Sequence, residues 1–268
     1  MHIALFKKII ICFSFAMCFF LSSSCGLETF YYLDPPRGGS DIHAIKYDVT
    51  DDIQKYFIFQ TNESDNKSEG TFKFLGTEVY YKIYDNYSAI DTTEKAVDDA
   101  VSSTNPVSSA DKIITTYKYQ KLGISSGNLD PLIPSVGEDR YIYIRLNDYG
   151  DAGAYRSGIC VDDATMEEYD PEKAYPSKDK PVFPRRSINS SYGFNFNADD
   201  EDNNPLPAGT SSETADADRY YSSSPSEKGK WYVDMYAVSV GQDESFQKSY
   251  SSVLHLGSVT IDESAYDK

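Results

Sequence analysis

The groups able to do chemistry in this chain are few in kind. Its 268 residues hold 42 Asp and Glu against 25 Lys and Arg, but only three His and four Cys. Cys12, Cys18 and Cys25 crowd the first twenty-five residues, and Cys160 stands alone in the body. Beyond His2 only His43 and His255 occur. A catalytic triad or a histidine-rich zinc site is hard to build from two histidines and one cysteine. Cys160 reads as a small buried apolar residue, and it has no cysteine left for an intramolecular disulfide.

The carboxylates gather in two polar stretches. Asp199, Asp200, Glu201, Asp202, Asn203 and Asn204 form one; Asp148, Asp151, Asp162 and Asp163 form the other. Calcium takes about six to eight oxygens, so each is a candidate site. Neither has EF-hand spacing, and the competing reading is a solvated acidic loop. A glycosidase needs two carboxyl groups about 5–9 Å apart, and with 42 acids that requirement singles out no pair. No motif marks a nucleophile or a base, so the expectation is a non-enzyme with no cofactor beyond possible calcium. Arg37-Gly38-Gly39-Ser40 lacks the Gly-Lys-Ser/Thr of a phosphate loop and reads as a turn.

Tyrosine is the other chemical resource, with 23 Tyr and 14 Phe. Tyr80, Tyr84 and Tyr236 fall on the outer faces of expected strands, and Tyr220-Tyr221 lies in a polar stretch. Exposed tyrosines recognise proteins or glycans; the competing role is cross-strand packing within a sheet. A net charge of −17 repels DNA, RNA and anionic headgroups, so nucleic acid is excluded as a partner.

The elements that position these residues are mostly strands. Tyr56 to Gln60, Glu78 to Tyr84, Ile113 to Tyr119, Tyr141 to Leu146, Trp231 to Val240 and Val253 to Ile261 carry strand-like runs. The last is interrupted at Gly257. Val79, Tyr81 and Ile83 share one face, as do Ile142, Ile144 and Leu146. One helix is expected after Asp91-x-x-Glu94, with Ala96, Val97, Ala100 and Val101 on its buried stripe. Periodicity is weak over 148–228. That stretch reads as a loop-rich insertion in which Arg156–Val161 and Ser191–Asn197 pair as minor strands.

The N-terminus has its own order. Lys7 and Lys8 precede an apolar run from Ile9 to Leu21, then Ser22, Ser23, Ser24, Cys25 and Gly26. The run is shorter than the roughly 20 residues of a spanning helix. It resembles the lipobox of bacterial lipoproteins, which implies export, cleavage after residue 24 and lipid on Cys25. Ser22 stands where an aliphatic residue is usual, with Leu21 one position further back, as in the relaxed lipoboxes of spirochaetes. Removing 1–24 takes Lys7 and Lys8 with it, so the formal charge falls by two, from −17 to −19. The domain plan is then a signal peptide at 1–24, a lipidated tether at 25–40, and one elaborated domain at 41–268.

Two stretches resemble fibronectin type III or immunoglobulin-like sandwiches. Glu78 to Asn86 is similar to the family's C strand. Trp231 to Gly241 is similar to its F strand, with Trp231, Val233, Met235 and Ala237 inward; Val253 to Ile261 then follows as a G strand. The family usually has tyrosine where Trp231 stands. The resemblance implies an antiparallel β-sandwich and no particular reaction. Cys25-Gly26-Leu27 and the tyrosine-rich body together resemble a treponeme-type spirochaete lipoprotein, which implies an envelope location. The expected function is a lipid-anchored, non-catalytic binding or adhesion module that presents its loops to a protein or glycan. The alternatives are a periplasm-facing accessory protein with a protein partner, and an exported hydrolase.

Overall fold

Alternation at period two builds the centre of the molecule. A computed structural model describes residues 32–38, 45–102, 105–125, 130–150, 156–162, 182–196, 216–220 and 229–262. The described chain is mostly β. In order it runs β1 (Phe57–Gln60), β2 (Lys73–Tyr84), α1 (Tyr87–Asp98) and α2 (Ser108–Asp111), which continues as a π-helical stretch through Lys112–Thr116. Then come β3 (Gln120–Lys121), β4 (Gly123–Ile124), β5 (Ile133–Pro134), β6 (Tyr141–Arg145), β7 (Gly158–Asp162), β8 (Pro184–Arg185), β9 (Lys230–Gln242) and β10 (Lys248–Asp262). Among the described residues no helix is long and apolar enough to cross a membrane.

A five-stranded antiparallel sheet runs β10-β9-β2-β3, with β5 also on β2. A smaller antiparallel sheet runs β1-β6-β7. The two share one apolar core. Val79, Tyr81, Ile83, Trp231, Val233, Met235 and Ala237 of the large sheet meet Phe57, Phe59, Ile142, Ile144 and Ile159 of the small one. These are the faces that the alternation predicts.

The other face of the large sheet departs from expectation. An antiparallel sheet commonly leaves one face in water, yet here α1 and α2 cover it. Ile90, Val97, Ala110 and Ile113 pack on Tyr80, Tyr84, Tyr119, Tyr232, Tyr236 and Val238 in a second core. Burying each large aliphatic side chain contributes about 1.5–3 kcal/mol, enough to hold this layer down.

Both helical segments correct the sequence reading. α1 starts at Tyr87 rather than near Asp91, because the Asn86 side chain accepts from the Ser88 N–H at 2.9 Å and caps it. Ile90, Thr93 and Val97 form its buried stripe, while Val101 is exposed. Ile113 to Thr116 is helical, not a strand. Its β-branched run favours extended backbone locally. Ala110 and Ile113, three apart, overrule that by meeting the sheet on one helical face.

The stretch read as an insertion contributes to the core where it is described. β7 pairs with β6, placing Ile159 opposite Ile144, instead of with 191–196. Phe194 and Phe196 join the first core. Near the start, Leu33 is buried and Arg37 bridges Gln60 by paired backbone hydrogen bonds of 2.8 and 3.0 Å.

Gly257 marks a register shift in β10. Its φ is +92°, and the Ile45 backbone crosses there, donating to Leu256 O at 3.2 Å and accepting from Ser258 N at 2.9 Å. A Cβ would overlap the Ile45 carbonyl. Gly257→Ala is expected to cost about 1–3 kcal/mol of stability in thermal or urea unfolding. A loss below about 0.5 kcal/mol, the range of neutral surface changes, would mean that this close approach is absent.

Candidate functional site

Three of the tyrosines expected on a recognition surface lie in the interior. Tyr80, Tyr84 and Tyr236 are each at most 2% exposed, because the helical layer covers their face. Burial leaves each hydroxyl in need of a partner. Tyr80 donates to Glu78 at 2.6 Å. Tyr84 and Tyr119 share a hydrogen bond at 2.9 Å, and Tyr119 donates to Asp234 at 2.6 Å. Burial raises all four phenols above their ordinary value, and the neighbouring carboxylates raise them further. Tyr220 is half-buried and stacks on Tyr84 with centroids 5.0 Å apart. Tyr221, Cys25, His43, Asp151, Asp163 and the acidic run 199–204 lie outside the described residues.

His255 ends the same chain of polar groups. Its Nε2 lies 2.8 Å from Asp234 Oδ1 and its Nδ1 3.1 Å from Glu94 Oε1. The ring stacks on Tyr236, with centroids 4.6 Å apart. A neutral imidazole has one N–H and would set its lone pair against a carboxylate. Burial pushes the imidazole down, but Asp234 and Glu94 outweigh it and push the pKa up to about 10. His255 is therefore an imidazolium with both nitrogens donating, and it ties β10 to β9 and α1. General-base work needs one nitrogen free to take a proton.

A second buried cluster clamps the former insertion. Arg186 is fully buried and grips Asp218 twice, Nε to Oδ2 at 2.8 Å and Nη2 to Oδ1 at 2.7 Å, with Asp216 at 2.6 Å. Tyr81 donates to the same Asp218 at 2.7 Å. Arg219 pairs with Asp85 at 3.0 Å and lies over the Trp231 ring, 4.6 Å from its centroid. These groups hold residues 182–196 and 216–220 against β2.

The calcium candidates resolve only in part. Asp148 pairs with Arg156 at 3.1 Å and accepts from Ser157 N at 2.7 Å. Among the described residues no group of three His, Cys, Asp or Glu is placed to hold a metal. Cys160 is a half-buried thiol within β7.

A surface cleft of about 320 Å³ opens beside α1 and the paired ends of β9 and β10. Tyr47, Tyr87 and Tyr232 wall it, and Asp48, Thr50, Lys55, Lys230, Thr260 and Asp262 supply its polar groups. Tyr47 and Tyr87 stack at 5.0 Å and 21°; each meets Tyr232 edge-on, at 5.8 and 5.9 Å. Register explains the gathering. Tyr232 is opposite both Tyr84 and Thr260, Lys230 is opposite Asp262, and Tyr87 follows β2 by three residues. Thr260 donates to the Tyr47 carbonyl and holds that turn on the sheet. Sequence reading missed the cleft because its walls come from three distant segments. The one local signal is Tyr87 beside the cap at Asn86.

No protein-family model matches the chain, and comparison with curated proteins and with solved structures gives no match. Fold and cleft together define a mostly β protein whose described residues form antiparallel sheets, the two larger of which share a core, with a helical layer and a tyrosine-walled surface cleft.

Proposed function

We propose that the chain is a lipid-anchored, non-catalytic binding module of the bacterial cell envelope. The observation that carries the reading is the surface cleft, in which the stacked rings of Tyr47 and Tyr87 meet Tyr232 of the sheet. Recognition favours such rings because they offer area at low entropic cost. The imidazolium state of His255 supports a structural use of the described histidine rather than a catalytic one. The order of basic, apolar and small residues before Cys25 supports the anchor. A fibronectin-like sandwich is supported by the pairing of β2, β9 and β10, the stretches that resemble C, F and G strands.

The test is fractionation of cells expressing wild type and Cys25→Ala, with protease shaving of intact and lysed cells. Wild type is expected in the membrane and detergent phase, and Cys25→Ala in the soluble fraction. Equal partitioning of the two would overturn the anchor. Release of peptides from 148–228 by intact cells supports ligand capture at the surface. Protection until lysis supports instead a periplasm-facing module with a protein partner.

A further inference from the structure

The chemistry of the cleft narrows the ligand, on the reading that the chain is a binding module. We propose that the Tyr47–Tyr87–Tyr232 cleft binds a neutral mono- or disaccharide unit of a glycan. A pyranose presents an apolar C–H face and a belt of hydroxyls. It is held by an aromatic plane against the first and by short-reach oxygens and ammonium groups against the second. Tyr87 is 40% exposed and backed on Tyr47, so the stacked pair offers a plane whose orientation is already set. Tyr232, 3% exposed, fixes the floor of the cleft. Asp48, Asp262, Thr50 and Thr260 bring oxygens to the rim, and Lys55 and Lys230 bring donors.

Charge and size select among ligands. The rim's two aspartates balance its two lysines, and Asp52, paired with Lys55 at 2.8 Å, adds a further negative charge beside them. The chain carries −17 overall. A phosphorylated or acidic ligand therefore meets no excess of positive potential. An apolar ligand would have to desolvate the exposed Asp48 carboxylate at the rim without pairing it. The 320 Å³ of space is at the small end of ligand sites, which run about 300–1,000 Å³. That fits one sugar unit or two. The rings are stacked before any ligand arrives, so little ordering remains to be done on binding.

The experiment presents the full chain in detergent to an array of neutral oligosaccharides, acidic oligosaccharides and peptides. Tyr87→Ala and Asp48→Asn are run beside it; both positions are exposed, and thermal melting checks that each variant folds. The expected result is retention on neutral oligosaccharides, weakened about tenfold or more by Tyr87→Ala, the scale of a recognition hot spot. Asp48→Asn is expected to weaken it several-fold. Sugar binding that both variants leave intact overturns the cleft as the site. Retention on acidic oligosaccharides alone overturns the neutral class. Peptide binding that Tyr87→Ala abolishes, with no sugar retained, overturns the sugar and leaves the binding module standing. Silence on all three probes overturns both.

Discussion

Replacing Arg186 with methionine is expected to lower the unfolding free energy by about 3–5 kcal/mol, the cost of removing one partner of a buried ion pair. Arg186 and Asp218 are both fully buried, and the guanidinium meets the carboxylate edge to edge through two hydrogen bonds. Without it Asp218 keeps the Tyr81 hydroxyl as a donor but loses its countercharge. Asp216, also within reach of the lost Nη2, loses one too. The comparison that isolates the effect is a double-mutant cycle. Arg186→Met with Asp218→Asn removes both charges and is expected to recover a good part of the loss, since a buried pair often adds little net stability over neutral groups. Urea midpoints for the four proteins measure this. A loss under about 1 kcal/mol, typical of exposed pairs, would mean that residues 182–196 are not docked on β2.

That clamp explains why the middle of the chain was hard to read. Residues 148–228 carry no sustained alternation, so pattern alone suggests loops. What holds the described parts is a set of single anchors: Phe194 and Phe196 in the core, Arg186 on Asp218, and Arg219 on Asp85 and Trp231. Apart from the short alternation of Phe194 and Phe196, these anchors do not repeat at a period, so they leave no sustained periodic signal. By contrast Val79, Tyr81 and Ile83, with Trp231, Val233, Met235 and Ala237, alternate cleanly and land on the face shared by the two sheets. The interruption at Gly257 was legible for a similar reason. A glycine inside a strand marks a bulge or a close backbone approach, and here it marks both.

Tyrosine is where local reading misled. Its ring packs like an apolar residue and its hydroxyl asks for water or a partner, so Tyr80, Tyr84 and Tyr236 fit either face of a strand. The choice was made elsewhere. Ile90, Thr93 and Val97 on α1, with Ala110 and Ile113 further on, supply the cover. Glu78 accepts from Tyr80, and Tyr119, itself bound to Asp234, partners Tyr84 within the layer. The rings that stayed near the surface, Tyr47 and Tyr87, sit in a turn and at a helix start, where strand alternation says nothing about exposure. Their meeting with Tyr232 follows from strand register, which a pass along one sequence does not provide.

His255→Gln is expected to cost about 3 kcal/mol or more at pH 7, and that cost is expected to shrink as pH rises toward 10. The imidazolium is charged up to about pH 10 in the folded chain, whereas an unfolded histidine loses its proton near about 6.5. Below that lower value both states are protonated and the stabilisation is fully present. Between the two the native state holds a proton that the unfolded state lacks, so stability falls by up to about 1.4 kcal/mol per pH unit. Other groups titrate nearby and must be separated. Burial lowers Lys82 to about 8, which makes stability rise over the upper part of the same window. The buried tyrosines act only near and above about pH 10, where unfolded phenols ionise. Urea unfolding of wild type and variant at matched pH between 7 and 9.5 cancels these backgrounds. Glu94, Asp234 and Tyr236 face the ring from α1 and β9, so the narrowing gap reads the weld between helix and sheet. A gap that stays constant would mean a neutral ring at pH 7. It would also remove the charge that fastens α1, and with it Tyr87, to the sheet beneath the cleft.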